Sequence, residues 1–165
     1  MEFIITVMAN DRPGIAERLA REIEAHQGNW LESRMATMAG KFAGIVRIEV
    51  PEANFKAIQK GLTGLRDEGL SVAIELGESS DGKTTLHTIE VVGNDRSGIV
   101  REVTNALASQ HANVTDLQTE IEPASMSGGV IFKALVEFEL TEDQSIDEVI
   151  QSLENLSPDL MVDTK

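Results

Sequence analysis

The chain has 165 residues without cysteine, and 41% of them are hydrophobic. This apolar content suffices for a folded core, and the missing thiols exclude disulfides and cysteine-based metal or catalytic sites. The 28 acidic and 14 basic side chains give a net charge of −14, which argues against direct binding of nucleic acid. No apolar run approaches the ~20 residues that span a bilayer, and the amino terminus shows no signal-peptide pattern. We therefore expect an acidic cytoplasmic protein without a membrane-bound part.

An internal repeat divides the chain. Residues 5–15 match residues 89–99 at an offset of 84, with seven of the eleven positions identical. Further on, residues 42–50 match residues 132–140 at an offset of 90, so the second copy has six extra residues between these blocks. These residues lie in the Gly/Ser-rich stretch at 123–129. A repeat of about 80 residues indicates two copies of one structural unit.

The repeat sets the expected domain limits. We expect one module at residues 1–77 and a second at 84–165. The segment between them, 78–83, is polar and rich in turn residues, and this composition predicts a linker.

The hydrophobic pattern of each copy predicts the element order βαββαβ. In the first copy, an alternating strand is followed by a turn and by a helix with apolar residues four apart from Ile15 to Ile23. Gly28 follows this helix, and glycine commonly ends helices. Two strands, 30–38 and 41–50, form a hairpin, and a second helix and a closing strand complete the copy. This order predicts an α+β fold: two tandem ferredoxin-like modules, each an antiparallel sheet with helices on one face.

The sequence offers no recognisable catalytic or metal-binding motif. His26, His87 and His111 lack the spacing of metal ligands, and no nucleophile or dinucleotide motif is present. The glycine-rich stretch at 125–129 lies between two predicted strands, so it predicts a hairpin loop rather than a phosphate-binding loop. We expect no enzyme, no metal and no cofactor. A small enzyme on this scaffold stays open as a third class of function.

The repeated turn Asn-Asp-Arg-(Pro/Ser)-Gly-Ile is the strongest candidate for a binding site. It sets a helix start at the end of a strand, where free backbone N–H groups and the helix dipole favour a carboxylate. An aspartate accepts hydrogen bonds from an ammonium group, and a glycine allows close approach to the backbone. These features suit a small amino acid. The candidate ligand-binding residues are Asn10, Asp11, Gly14, Ile15 and Asn29 in the first copy, and Asn94, Asp95, Gly98, Ile99 and Asn113 in the second.

Purely structural interpretations stand beside this one. Asp11 and Asp95 also suit the role of helix caps, and the glycines also serve the turn alone. Trp30, the only tryptophan, suits either packing at a sheet edge or an anchor at an interface.

At these residues the sequence resembles the ACT domain family, the regulatory modules of amino-acid metabolism. The resemblance rests on residues 11–15 with Asn29, and on residues 95–99 with Asn113. It implies ferredoxin-like modules that pair side by side. It also implies amino-acid binding between the first strand-to-helix loop of one module and its neighbour.

Two features depart from the family pattern. Ser97 stands where the family often has proline. Ala9 and Gly93 stand where some amino-acid-binding members carry a polar side chain. Either site is therefore open to being degenerate.

A chain of two modules without a further domain resembles the glycine cleavage system transcriptional repressor group. The resemblance implies a non-enzymatic, amino-acid-responsive protein that represses glycine cleavage genes indirectly, through a DNA-binding activator as its protein partner. Glycine is the first candidate ligand, and a homodimer is an expected assembly. The alternative function is a tandem sensor that controls a metabolic enzyme in trans.

The charge is uneven between the halves. Residues 1–82 carry nine basic and thirteen acidic side chains, a net charge of −4. Residues 83–165 carry five basic and fifteen acidic side chains, a net charge of −10. We expect the second half to present an acidic face to a basic partner, with solubility as the alternative reason for the charge.

Overall fold

The computed structural model of the protein describes residues 1–78, 82–125 and 128–165. It divides the chain into two compact units, Met1–Ser80 and Asp81–Lys165, which we call module 1 and module 2. The predicted linker at 78–83 and the predicted hairpin loop at 125–129 both lie partly outside the described residues. The module limits at residues 77 and 84 stay a prediction.

Module 1 has the predicted βαββαβ order. Its elements are β1 (Glu2–Asn10), α1 (Ile15–Ala25), β2 (Asn29–Met38), β3 (Lys41–Glu49), α2 (Phe55–Gly64) and β4 (Leu70–Leu76), with 3-10 helices at Glu52–Asn54 and Leu65–Glu68. The strands form one antiparallel sheet in the order β2-β3-β1-β4. Alternate side chains of β1, such as Ile5, are buried with Leu19 of α1 and Ile58 of α2. Because strand side chains alternate between faces, one face of the sheet packs on both helices and the other is open.

Module 2 repeats this architecture. Its elements are β5 (Thr84–Asn94), α3 (Ile99–Ser109), β6 (Asn113–Pro123), β7 (Val130–Thr141), α4 (Ile146–Glu154) and β8 (Met161–Thr164). The sheet order is β6-β7-β5-β8, again antiparallel. Val91 of β5, Leu107 of α3 and Leu153 of α4 belong to a second, separate core. The predicted fold, two α+β modules with helices on one face of each sheet, is confirmed.

The left-handed residue after α1 is not the glycine that was expected to end this helix. The left-handed residue is Gln27, with φ of +60°, rather than Gly28. Gly28 is needed for space instead, because a Cβ there would lie 2.7 Å from Cγ2 of Ile23. In module 2, His111 has the matching left-handed conformation, with φ of +54°.

Candidate functional site

The repeated turn has the same backbone conformation in both modules. Gly14 and Gly98 precede α1 and α3 with φ of +89° and +88°. No atom lies within 4 Å of a Cβ built at either position, so the left-handed backbone rather than crowding favours glycine. Ile15 and Ile99 follow, and their side chains are buried in the two cores. Each isoleucine therefore fixes the start of its helix beside the end of the first strand.

Neither aspartate of the turn caps its helix. The N-cap residue is the glycine in both modules, and within the described residues no side-chain hydrogen bond caps the first turn of α1 or α3. The interpretation of Asp11 and Asp95 as caps is wrong, since each lies three residues before the N-cap. Their backbone N–H groups donate instead to the oxygens of Gly40 and Val130, at 2.9 and 2.8 Å. In module 2 the backbone N–H of Ile99 donates to the carbonyl oxygen of Arg96 at 3.2 Å, so the N–H groups without a side-chain cap that can meet an external acceptor are those of Val100 and Arg101.

A pocket opens at the turn of module 2. Its volume is about 460 Å³, within the range of about 300–1,000 Å³ that is usual for small-molecule sites. It lies between the turn, the start of α3 and the outer strand β6. Its lining residues are Asp95, Arg96, Gly98, Ile99, Val100, Thr119, Glu120, Ile121 and Phe132. The structure thus brings three of the predicted site residues, Asp95, Gly98 and Ile99, into one pocket.

The pocket combines an apolar wall with charged groups. Buried Phe132 and Ile99 contribute to the wall, and Ile121 of β6 is 60% exposed and would be covered by a ligand. Asp95 supplies a carboxylate that suits an ammonium group. An apolar surface edged by a few charged groups is typical of a site for a small organic molecule.

The arginine of the turn is held by an ion pair. The guanidinium of Arg96 donates to both carboxylate oxygens of Glu102 on α3, at 2.7 and 2.5 Å. This pairing lowers the pKa of Glu102 and raises that of Arg96. The fork-shaped contact fixes the guanidinium against α3, because two parallel hydrogen bonds define its plane.

Module 1 differs from module 2 at the position that corresponds to the pocket. Met35 is the equivalent of Thr119 at the offset of 84, and it packs against the first core. It lies across Gly44, where a Cβ would come within 2.8 Å of its Cγ. The equivalent of Gly44 in module 2 is Ala134, which is paired with Thr119. The longer side chain of Met35 therefore occupies space that the shorter Thr119 leaves open.

The predicted asparagines lie far from the turns of their own modules. Asn29 is paired with Glu49 of β3, whereas Asn10, beside the turn, is paired with Lys41. These partners are eight residues apart on one strand, which corresponds to about 27 Å. In module 2, Asn113 is likewise paired with Glu139, and its Nδ2 lies 3.5 Å from Oε2 of that residue. The structure therefore does not bring Asn29 to Asp11, or Asn113 to Asp95, within one module.

The residues just before the turns have other partners. Lys41 donates to the side-chain oxygen of Asn10 at 2.5 Å. The backbone N–H of Asn94 donates to the carboxylate of Asp159 at 2.8 Å, which lowers the pKa of that aspartate together with the hydroxyl of Ser157. Asn94 does not line the pocket described above.

The positions of Ala9 and Gly93 explain the absence of a polar side chain there. Ala9 is buried in the first core. A Cβ at Gly93 would lie 3.2 Å from Cδ2 of Leu160, so a larger side chain would crowd the second core. In this chain both positions serve packing rather than the site.

Sequence reasoning missed most of the pocket wall, including Val100, Thr119, Ile121 and Phe132. One sequence signal could have revealed this wall: when the two copies are aligned, Thr119 stands where the first copy has the longer Met35. Trp30 lies on the outer strand β2 and is half-buried against the first core, which agrees with the packing interpretation.

Within residues 1–78, 82–125 and 128–165, no three His, Cys, Asp or Glu residues are grouped closely enough to hold a metal ion. Among the helices of these same segments, none is both long enough and apolar enough to cross a membrane.

The fold and the repeated turn agree with comparisons to known proteins. Family models of the ACT domain match residues 2–75 and residues 82–158. The chain therefore belongs to the ACT domain family and consists of two tandem ACT domains, which are regulatory modules.

Three individual relatives illustrate the match. The UPF0237 protein of Methanosarcina mazei is 31% identical over 90 residues, which cover 53% of this chain and 95% of that protein. The crystal structure of an unknown protein from Galdieria sulphuraria has a TM-score of 0.82 at 25% identity and covers 99% of this chain and 96% of its own. A structure provisionally identified as a glycine cleavage system transcriptional repressor has a TM-score of 0.70 at 18% identity and covers 99% and 98%. At that identity, the last likeness concerns the fold alone.

Proposed function

We propose that this protein is a non-enzymatic regulatory protein of the cytoplasm that responds to a small amino acid. The observation that carries this proposal is the pocket of module 2. There an uncapped helix start, the carboxylate of Asp95 and an apolar wall surround one volume of about 460 Å³. These three features match the carboxylate, the ammonium group and the side chain of an amino acid.

The chemistry of the lining gives the ligand an orientation. Its carboxylate accepts hydrogen bonds from the backbone N–H groups of Val100 and Arg101 in the first turn of α3, where the helix dipole favours negative charge. Its ammonium group faces Asp95, and its side chain contacts Ile99 and Val100. Glycine is the first candidate from the sequence, but the pocket leaves room for more than its hydrogen side chain. The ligand panel therefore includes alanine, serine, valine and leucine.

The asparagines enter this proposal through a second module. Asn113 lies about 27 Å from the turn of its own module along the sheet, as estimated from the strand rise. The resemblance to ACT domains implies a site shared with a neighbouring module, and such a neighbour is the way for Asn29 or Asn113 to reach a ligand. We accordingly propose the ten predicted residues as ligand-binding residues, with the Asp95 turn as the principal site.

Calorimetric titration of the whole chain with the amino-acid panel tests the sensing function. Asp95→Asn removes the charge facing the ammonium group. Since a hydrogen bond to a charged group contributes about 1.5–3 kcal/mol, the affinity should fall at least about tenfold. Asp163→Asn is the matched control, because it removes one negative charge from the same module away from the pocket. Failure of every amino acid to bind, or equal effects of the two variants, would contradict the sensing function.

The finer proposal is that the protein indirectly represses glycine cleavage genes through a DNA-binding activator. It is supported by the resemblance of the two-module chain to that repressor group and by the net charge of −10 in residues 83–165. An acidic half attracts a basic partner and repels DNA. The partner's binding constant should then fall as salt rises.

Affinity purification from cells, followed by identification of the bound protein, separates this proposal from its alternative. A DNA-binding activator as the partner, with glycine cleavage expression rising when this gene is deleted, supports indirect repression. A metabolic enzyme as the partner, with unchanged expression, supports control of an enzyme in trans. Salt-independent binding contradicts the electrostatic docking in either case.

A further inference from the structure

Two exposed aliphatic side chains line the pocket of module 2, one from each of two elements beside it. Val100, in the first turn of α3, is 41% exposed, and Ile121, on the outer strand β6, is 60% exposed. Ile99 and Phe132 also line the pocket, but they are buried in the second core. Exposed apolar surface inside a concave site is surface that a ligand can cover.

The helix does not require valine at position 100. The equivalent residue of module 1, at the offset of 84, is Ala16. Each of the two follows the buried isoleucine that starts its helix, and each is exposed. Valine forms helices less readily than alanine, so helix propensity gives no reason for the larger residue. Val100 therefore serves something other than the formation of α3.

The strand does not require isoleucine at position 121 either. Ile121 is paired with Phe132 across β6 and β7. The matching pair of module 1 is Thr37 with Phe42. Threonine and isoleucine are both β-branched and both favour strands, so strand propensity does not distinguish them. Isoleucine thus adds apolar surface to the pocket for a reason other than strand formation.

The lining offers little to a polar side chain of a ligand. Among the described residues that line the pocket, Thr119 is the only one with an uncharged polar side chain. The guanidinium of Arg96 is already held by both carboxylate oxygens of Glu102. Glu120 alternates with Thr119 along β6 and belongs to the other face of the sheet. Since Asp95 suits the ammonium group, the rest of the lining suits an aliphatic side chain.

We propose that the pocket of module 2 selects amino acids with an aliphatic side chain, such as valine, leucine and isoleucine, and that Val100 and Ile121 determine this selectivity. The selectivity rests on the proposed sensing function and narrows its ligand. With the carboxylate at the first turn of α3 and the ammonium group at Asp95, the side chain of the ligand covers Val100 and Ile121. Because binding strengthens with the apolar area removed from water, affinity should rise from glycine through alanine to valine and leucine.

Titration calorimetry of the full chain with matched pairs of ligands tests the selectivity. Leucine should bind at least about tenfold more tightly than glycine, since its larger side chain buries more apolar area. Valine should bind at least about tenfold more tightly than threonine, which has nearly the same shape but places a hydroxyl against apolar surface. Equal affinities within either pair, or tighter binding of threonine through the hydroxyl of Thr119, would overturn the proposal.

Exchanging the two pocket residues for those of module 1 tests their role. Val100→Ala with Ile121→Thr should lower the affinity for leucine about tenfold and leave that for alanine within about twofold, because only the larger ligand loses apolar contacts. Leu86→Thr is the matched control, since Leu86 is an exposed aliphatic residue of β5 that does not line the pocket. Circular dichroism establishes that each variant is folded. A folded double variant that keeps the wild-type selectivity, or an equal loss in the control, contradicts the assigned role.

Methyl NMR spectra locate the bound ligand in the wild type. Added leucine should shift the methyl resonances of Ile121, which Ile121→Thr identifies by their loss. Leucine that binds without shifting them overturns the proposal. Failure of every amino acid to bind contradicts the sensing function itself, whereas binding without an aliphatic preference overturns the selectivity alone.

Discussion

Modules 1 and 2 have the same strand order and the same turn conformation, yet the open faces of their sheets carry different side chains. In module 1, Thr6, Ala36 and Ala73 lie where module 2 has Glu90, Glu120 and Asp163. Charge on this face has little effect on the fold, because the open face contributes nothing to either core. The difference shows that the two copies kept one fold while the side chains on their open sheet faces diverged.

The turns differ in the same way. Both have a left-handed glycine before the helix, but Met35 covers the matching place in module 1 and Thr119 leaves a pocket in module 2. Arg12 of module 1 donates to the carbonyl of Glu68 at 2.8 Å, whereas Arg96 of module 2 pairs with a glutamate of its own helix. A retained turn therefore does not by itself mean a retained site.

The largest expected effects are losses of stability from substitutions in the two separate cores. Ile23→Ala in module 1 and Leu107→Ala in module 2 each remove a fully buried side chain. Each should lower the free energy of unfolding of its own module by about 2–5 kcal/mol, through lost burial and a residual cavity. Hydrogen exchange read by mass spectrometry should place the lost protection in the substituted module. Equal loss in both modules would contradict two independent cores.

The contrast between the turns predicts the next effect. Thr119→Met combined with Ala134→Gly gives module 2 the pair that module 1 has in Met35 and Gly44. The longer side chain should fill the pocket and reduce amino-acid affinity at least about tenfold, as 1.4 kcal/mol of lost contact would do. Gln118→Met, one residue away on the other face of β6, is the control for titration calorimetry. Unchanged affinity in the double variant would place the ligand elsewhere.

The common turn conformation predicts equal effects in the two modules. Gly14→Ala and Gly98→Ala should each destabilise by about 1–2 kcal/mol, because a side chain disfavours the left-handed backbone. Gly64→Ala is the control, since Gly64 has φ of −64° and open space around its Cβ position, and it should be neutral or mildly stabilising. Urea denaturation measures all three. A much larger cost at one turn would show that the turns are not equivalent.

The smallest expected effect concerns pH. Arg96 lowers the pKa of Glu102, so this ion pair stabilises the folded state above the ordinary glutamate pKa of about 4.3. The stabilisation is lost as pH falls through the lowered folded-state pKa. Arg96→Ala should therefore be slightly less stable than the wild type at neutral pH and equal to it in acid. Denaturation curves at several pH values check this. A difference in stability between the variant and the wild type that persists in acid would show that lost packing, rather than the lost ion pair, destabilises the variant.

Much of the architecture could be predicted from local pattern. Hydrophobic residues four apart from Ile15 to Ile23, and again from Ile99 to Leu107, specify helices with one buried face, and both are present. The repeat specifies two modules because each copy contains every element of a complete sheet. The turn was predicted correctly as the start of a helix, since the left-handed residue before each helix favours glycine for local reasons.

The misjudged features depend on backbone geometry that the residue types alone do not show. The predicted helix caps failed because a cap depends on where the helix begins, and the left-handed Gly14 and Gly98 became the N-caps. Gly28 was expected as the glycine that ends α1; it follows the helix, but the left-handed residue is Gln27 and Gly28 leaves room for Ile23. Asn29 stays a predicted site residue, and strand pairing places it at the far end of the sheet from the turn of its own module.

The sequence by itself determined that this protein is a duplicated α+β module with a repeated turn, because periodicity and turn chemistry act between neighbours along the chain. Only the tertiary structure decided that the turn of module 2 has a pocket and that the open faces of the two sheets differ in charge. These properties depend on side chains that meet across strands, such as Thr119 beside Ala134 or Thr6 beside Ile45. Strand register brings such pairs together over long sequence separations, and a single substitution within them changes a surface without changing the fold.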